Sequence, residues 1–215
     1  MSDQQHIPVL LNQVLEMSEL ENSRPVSLLD CTFGRGGHAM ALADHHPGLK
    51  IFAVDQDAQA VEFAKTQFAS LLEDMRLQVE HGSFHNIKEI AGQFDMPEPK
   101  RFDLILADLG VSSPQLDQAE RGFSFQQSGP LDMRMNQQQE FTAADIVNSW
   151  SEDQLRDLFY YVGEVRKPGK VVKAILSARE VKPFETTLQL ADLIAQKRGL
   201  EEKRVAPCHS VLFSS

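Results

Sequence analysis

Short apolar runs alternate with segments of helical period through the first half of the chain. Val26-Ser27-Leu28-Leu29-Asp30, Ile51-Phe52-Ala53-Val54-Asp55, Leu77-Gln78-Val79-Glu80-His81 and Phe102-Asp103-Leu104-Ile105-Leu106-Ala107-Asp108 have the length and side-chain content of strands. Between them, His38 to Asp44, Ala58 to Leu72 and Ile87 to Phe94 read as helices. The middle one carries Ala60, Val61, Phe63, Ala64, Phe68, Leu71 and Leu72 at helical spacing. Such alternation predicts a parallel sheet with helices on both faces.

After Leu109 the pattern changes. From Gly110 to about Arg134 no period holds, and Gly, Ser, Pro, Asp and Gln are frequent. A stretch of that length inside a compact domain is usually functional. From Thr142 the pattern is helical again. Thr142 reads as a helix cap, and Ser151 with Gln154 has capping-box spacing. Leu155, Leu158, Phe159 and Val162 then mark one apolar face. Lys170 to Arg179 and Thr187 to Lys197 are two further helices, the last capped by Thr186 or Thr187. Three regions are expected: an α/β part over 1–109, a loop and helical subdomain over 110–205, and an unrelated tail over 206–215.

Composition changes this picture little. Of the 215 residues, 42% are hydrophobic and 24% charged, as in ordinary globular chains. No apolar run is long enough to span a bilayer, and the polar N-terminus lacks a signal-peptide core, so the chain reads as cytoplasmic. Cys31 and Cys208 make neither a disulfide framework nor a zinc site, and no metal is expected. The net charge of −10 argues against broad attraction to nucleic acid. Basic residues do gather locally at Arg166, Lys167, Lys170, Lys173, Arg179 and Lys182. They form either a solvated helix face or a surface turned towards RNA.

Candidate chemistry collects at the strand ends. Thr32-Phe33-Gly34-Arg35-Gly36-Gly37-His38 follows the first strand and opens a helix, where glycines let the backbone turn and approach a ligand. Asp55 ends the second strand and can accept from both hydroxyls of a ribose, or cap a helix, a role Asp57 suits better. Phe84 follows the third strand and either packs on an adenine or joins the core. Asp108 ends the fourth. Open α/β sheets bind ligands outside these strand ends, so the coincidence of all four carries the argument. The Gly-x-Gly-x-x-Gly dinucleotide fingerprint is absent, which weakens an oxidoreductase reading.

Three longer runs are more specific: Asp108-Leu109-Gly110-Val111-Ser112-Ser113-Pro114-Gln115-Leu116-Asp117, Glu120-Arg121-Gly122-Phe123-Ser124-Phe125, and Pro130-Leu131-Asp132-Met133-Arg134-Met135. With Pro8-Val9-Leu10-Leu11, the Thr32 to His38 loop and Gly163-Glu164, they closely resemble the bacterial ribosomal RNA small subunit methyltransferase H family. The resemblance runs from about His6 to about Leu193. It implies a Rossmann-like class I methyltransferase sheet, here only its first four strands, with a mostly helical insertion. It also implies S-adenosyl-L-methionine as cofactor and 16S rRNA of the small ribosomal subunit as partner. The reaction implied is methylation of the exocyclic N4 of a cytidine in the decoding region. The family's cofactor positions carry over to Gly36, Gly37, His38, Asp55, Phe84, Asp108 and Gln115. Asp108 is the candidate acceptor for the reacting amine, or else a structural residue, with Ser112 or Ser113 as a second acceptor. Arg121, Arg134 and Arg166 are candidates for phosphates. Phe123 and Phe125 either attend the target base or pack the loop.

The family continues through further strands beyond a run reading His-Pro-Ala-Thr-Arg. Here the chain reads Ala206-Pro207-Cys208-His209-Ser210, which the same codons give one base out of frame. A frameshift near residue 205 is therefore expected. The shortened chain is expected to be unstable or inactive alone, and a non-catalytic, cofactor-binding remnant is the alternative function.

Overall fold

The computed structural model describes residues 7–18, 26–96, 100–124 and 126–198; His6, Phe125 and the tail expectations fall outside them. The chain divides into two compact units, Met1–Leu109 and Gly110–Ser215.

The first unit is a four-stranded parallel sheet in the order β3-β2-β1-β4, from β1 (Val26–Asp30), β2 (Leu49–Asp55), β3 (Leu77–His81) and β4 (Leu104–Leu106). It is an α/β sheet of Rossmann-like build. Leu28, Ile51 and Ala53 face one layer, and Leu29, Phe52 and Val54 the other, so both faces of the central strands β1 and β2 are buried. The first layer holds Ala39 and Leu42 of α2 (Gly37–His45) and Ala64 of α3 (Ala58–Gln67), with Val14 and Leu15 of α1 (Leu11–Met17) beside them. Leu71 and Leu72 of α4 (Ala69–Glu73) also pack there, and Ile90 of α5 (Ile87–Gln93) covers the opposite face.

Two elements differ from expectation. The helix over Ala58 to Leu72 breaks at Phe68, which leaves helical geometry at φ −116° and ψ 31°. Its ring meets Phe33 and Phe63 edge-on, each at 6.0 Å between centroids, so aromatic packing overrides helix propensity. The fourth strand is three residues rather than seven. Past Leu106, the Asp108 amide donates to Thr32 Oγ1 at 2.7 Å instead of extending the ladder.

In the second unit the segment after Gly110 is not structureless. Ser112 caps a short helix, α6 (Ser113–Asp117), with Gln115 closing a capping box. A single 3-10 turn follows at Ala119–Arg121. Residues 129–131 then pair with 185–187: Thr187 N donates to Gly129 O at 3.0 Å and Leu131 N to Glu185 O at 2.9 Å. Thr142 caps α7 (Ala143–Ser149) and Ser151 caps α8 (Glu152–Asp157), both as capping boxes. The chain continues from α8 into a π-helical turn, Leu158–Val162, in which Gly163 N reaches Leu158 O at 3.0 Å. α9 (Gly169–Val181) and α10 (Thr187–Arg198) complete the unit. Phe123, Leu131, Val147, Leu155, Phe159, Val172 and Ile175 form its core. Among the described residues no helix is long and apolar enough to cross a membrane.

Candidate cofactor turn and catalytic loop

The chain order reverses between β1 and β4: two crossovers step outward to β2 and β3, and the next returns to the far side of β1. At such a switch point the adjoining connections leave the sheet in opposite directions and open a crevice beyond the strand ends. β1 delivers the turn after Asp30 to this place, and β4 delivers Asp108.

The turn is built by backbone bonds to its neighbours. Cys31 N donates to Leu106 O at 2.8 Å, Phe33 N to Val54 O at 3.1 Å and Gly34 N to the Asp55 carboxylate at 2.7 Å. Gly34 and Gly36 have φ of 55° and 74°, a region other residues occupy only with strain. Packing also dictates the glycines. A Cβ on Gly36 would lie 2.7 Å from the Phe33 ring, and one on Gly37 would lie 2.6 Å from Pro8. His38 is buried in the first turn of α2; its Nε2 is 2.9 Å from Val9 O, and its Nδ1 lies 3.9 Å from an Asp108 oxygen. With Nε2 donating to that carbonyl, Nδ1 faces Asp108.

Three carboxylates surround the turn. Asp55 accepts from Gly34 N through one oxygen and from Asp57 N through the other at 2.8 Å. A carboxylate has about four acceptor sites, so two remain for further donors. Partial burial pushes the Asp55 carboxyl up, an effect opposed by its two backbone hydrogen bonds. The helix-capping alternative falls to Asp57, whose side chain accepts from Gln59 N. Asp108 has a half-exposed carboxylate on a backbone fixed to Thr32. Asp30 is 2% exposed and accepts from Thr32 N at 3.0 Å. Burial, then the negative charges of Asp55 and Asp108, push its carboxyl up to about 7 against the Thr32 bond. Asp30 and Thr32 belong to the turn read from the sequence, but neither was assigned a role there. The available signal for Asp30 was an acid closing the mostly apolar strand that begins at Val26.

Phe84 is half-buried in the turn after β3, stacked on His85 with 4.9 Å between centroids, and packs against the apolar layer under α5. It serves the core in part and keeps an exposed portion.

The second unit holds the remaining candidates. Gln115 is buried, and its side-chain oxygen accepts from Ser112 N at 3.0 Å. Ser112 and Ser113 are partly exposed at the start of α6. Two RNA candidates are buried, and Phe123 takes its packing alternative. Arg121 is 2% exposed, and its guanidinium donates to the Arg134 and Met135 carbonyls at 3.2 and 3.0 Å, so it holds the loop from within. Phe123 is fully buried in the core and offers no face to a base. Arg134 is committed to its own loop: Nε and Nη2 make a bidentate pair with Asp132 at 2.8 Å each, and Nη1 reaches Gln139 O at 2.7 Å. Burial raises the Asp132 carboxyl, but the Arg134 bonds and charge outweigh it and leave it lowered. Arg166 is exposed. Of the basic cluster, Arg179 caps the end of α7, donating to Val147 O and Trp150 O at 2.9 and 2.8 Å, and Lys182 pairs with Glu185 at 3.1 Å.

The residues fit a nucleoside-bearing sulfonium. The Asp55 carboxylate keeps acceptor sites for ribose hydroxyls, the turn presents backbone amides at a helix start, and acidic groups surround the place of a cation. Among the described residues no three His, Cys, Asp or Glu side chains are grouped to hold a metal ion.

Comparison with known proteins agrees on one family. The model of the MraW methylase family matches residues 3–211. A ribosomal RNA small subunit methyltransferase H from Bdellovibrio bacteriovorus is 48% identical over 93% of this chain and 59% of its own length. The Legionella pneumophila (strain Corby) protein of that name is 45% identical over 85% of this chain and 58% of its own. The chain thus spans somewhat over half the length of these relatives. A solved structure, PKMT2 from Rickettsia typhi, overlaps 88% of the chain at 13% identity with a TM-score of 0.30, too loosely to carry an argument. Near-complete coverage by the family model, and relatives identical at almost half of the aligned positions, place this chain in the MraW methylase family.

Proposed function

We propose that the turn after β1 binds S-adenosyl-L-methionine and that Asp108 serves methylation of a cytidine N4 in the decoding region of 16S rRNA. The activity would belong to a protein of the relatives' full length. The observation that carries the reading is the Asp108 carboxylate: it is half-exposed at the switch point, with its backbone tied to Thr32 and His38 beside it. The relatives' name supports small-subunit ribosomal RNA as the substrate, and the resemblance carried by the Asp108 to Asp117 run adds the cytidine N4 to the proposal.

When bound, the cofactor supplies a methyl group on a sulfonium, which leaves as a neutral thioether. Asp55 orients the ribose. Asp108 accepts an N–H of the cytosine amine, whose lone pair is otherwise delocalised into the ring, and turns it towards the methyl. The same carboxylate stabilises positive charge growing on nitrogen. Methyl transfer would leave a surplus proton on the nitrogen, which Asp108 or water would accept. Gln115 and Ser112 shape the start of α6. Arg166 remains a candidate phosphate contact.

The test is methyl transfer from labelled cofactor to 16S rRNA lacking the modification, with nucleoside mass analysis. N4-methylcytidine at a decoding-region position, lost in Asp108→Ala and reduced at least tenfold in Asp108→Asn, is expected. Label on protein, or on another base, would overturn the substrate assignment.

A further inference from the structure

Lys170, Lys173 and Lys197 line a groove of about 580 Å³ between α9 and α10, wholly within the second unit. Its α9 side also carries Ala174, Ser177 and Ala178, so the wall between the lysines is low and bears one hydroxyl. Positions 170, 173, 174, 177 and 178 follow the three-and-four spacing of one helix stripe. Among the described residues no Asp or Glu lines the groove. The ion pairs of the second unit among the described residues use other cations: Arg134 with Asp132, Arg156 with Glu152 and Asp153, and Lys182 with Glu185.

This placement works against folding. Lysines three apart repel by about 0.2–0.5 kcal/mol on a helix, and the first turns of α9 already carry the helix's positive end. In a chain of net charge −10, three lysines line this one groove. The arrangement suits an extended polyanion. Cations on two helices flank an open groove whose α9 wall is low, with Leu193 on the α10 side, so a chain of phosphates can lie along that wall. We infer that the α9–α10 groove binds the phosphodiester backbone of RNA. The inference rests on the RNA reading above and adds a docking site separate from the cofactor turn. Phosphate contacts there position the strand without reading its sequence.

The experiment measures RNA affinity against salt for the full chain and for Lys170→Gln/Lys173→Gln/Lys197→Gln, with a 16S decoding-region fragment and an unrelated single strand. S-adenosylmethionine affinity and circular dichroism are followed in parallel. Three lost phosphate contacts should flatten the slope of log affinity against log salt by about 2 for both RNAs. The triple Lys→Arg variant, which keeps the charges, should restore the slope. An unchanged slope in the Gln variant, or no RNA binding by the unsubstituted chain, overturns the groove. If cofactor binding persists in either case, the methyltransferase reading stands without it. Loss of cofactor binding with a lysine-dependent slope would do the reverse.

Discussion

A carboxylic acid at the buried end of a strand ionises reluctantly, and Asp30 has two further acids beside it. Its carboxyl is raised from 3.8 to about 7, mainly by burial. A raised acid stabilises the fold fully below its unfolded pKa and loses that contribution as pH rises through the folded one. At about 1.4 kcal/mol per unit, the difference between 3.8 and about 7 amounts to at most ~4 kcal/mol. Asp30→Asn is therefore expected to raise the melting temperature at pH 8 and to leave it nearly unchanged at pH 4; equal shifts at both would show that Asp30 does not titrate in this range. A bound sulfonium favours the ionised acid, so cofactor binding at pH 7 should release a fraction of a proton. The neutral thioether product should release less. Calorimetry in buffers of different ionisation enthalpy reads both. Asp55 and Asp108 were legible in the sequence because each closes an apolar run at a ligand-binding edge, although β4 itself stops at Leu106. Asp30 closes β1 in the same way, but its role was not legible, since the acids beside it come from other parts of the chain.

At the scale of elements, capping chemistry was readable wherever its spacing was read. Thr142 and Ser151 start α7 and α8 as expected. The same Ser-x-x-Gln signal at Ser112 and Gln115 starts α6, but it lay inside a stretch taken as aperiodic. The break at Phe68 was hidden, because its cause is the distant ring of Phe33. Arg121 inverts the usual expectation for an exposed cation: it is buried and joins two carbonyls of a loop with little regular structure of its own. Arg121→Met is expected to destabilise the second unit by about 1–3 kcal/mol, because carbonyls lose their donor. Denaturant unfolding measures this; cofactor affinity should not change. A stability within error of the unsubstituted chain would mean the guanidinium is dispensable. Gly129→Ala should be worse tolerated, since its Cβ would overlap the Ala119 carbonyl.

For the molecule as a whole, the parallel order of the four strands was legible in the alternation of periods. The partition of buried side chains between two layers followed from it. β4 pairs only with β1 among the described strands, and Ile105 on it is 63% exposed. An open, apolar strand edge invites pairing with a second copy. The purified chain should self-associate, and Ile105→Lys should raise the monomer fraction severalfold in light scattering. An Ile105→Lys distribution identical to the original would assign association elsewhere. The account as a whole rests on the cradle after β1. Its most direct test is the crystal structure of the chain with S-adenosylmethionine. The ribose hydroxyls should lie within hydrogen-bond distance of Asp55, with the sulfonium beyond the β1 and β4 ends. A cofactor bound away from Asp55 would contradict it.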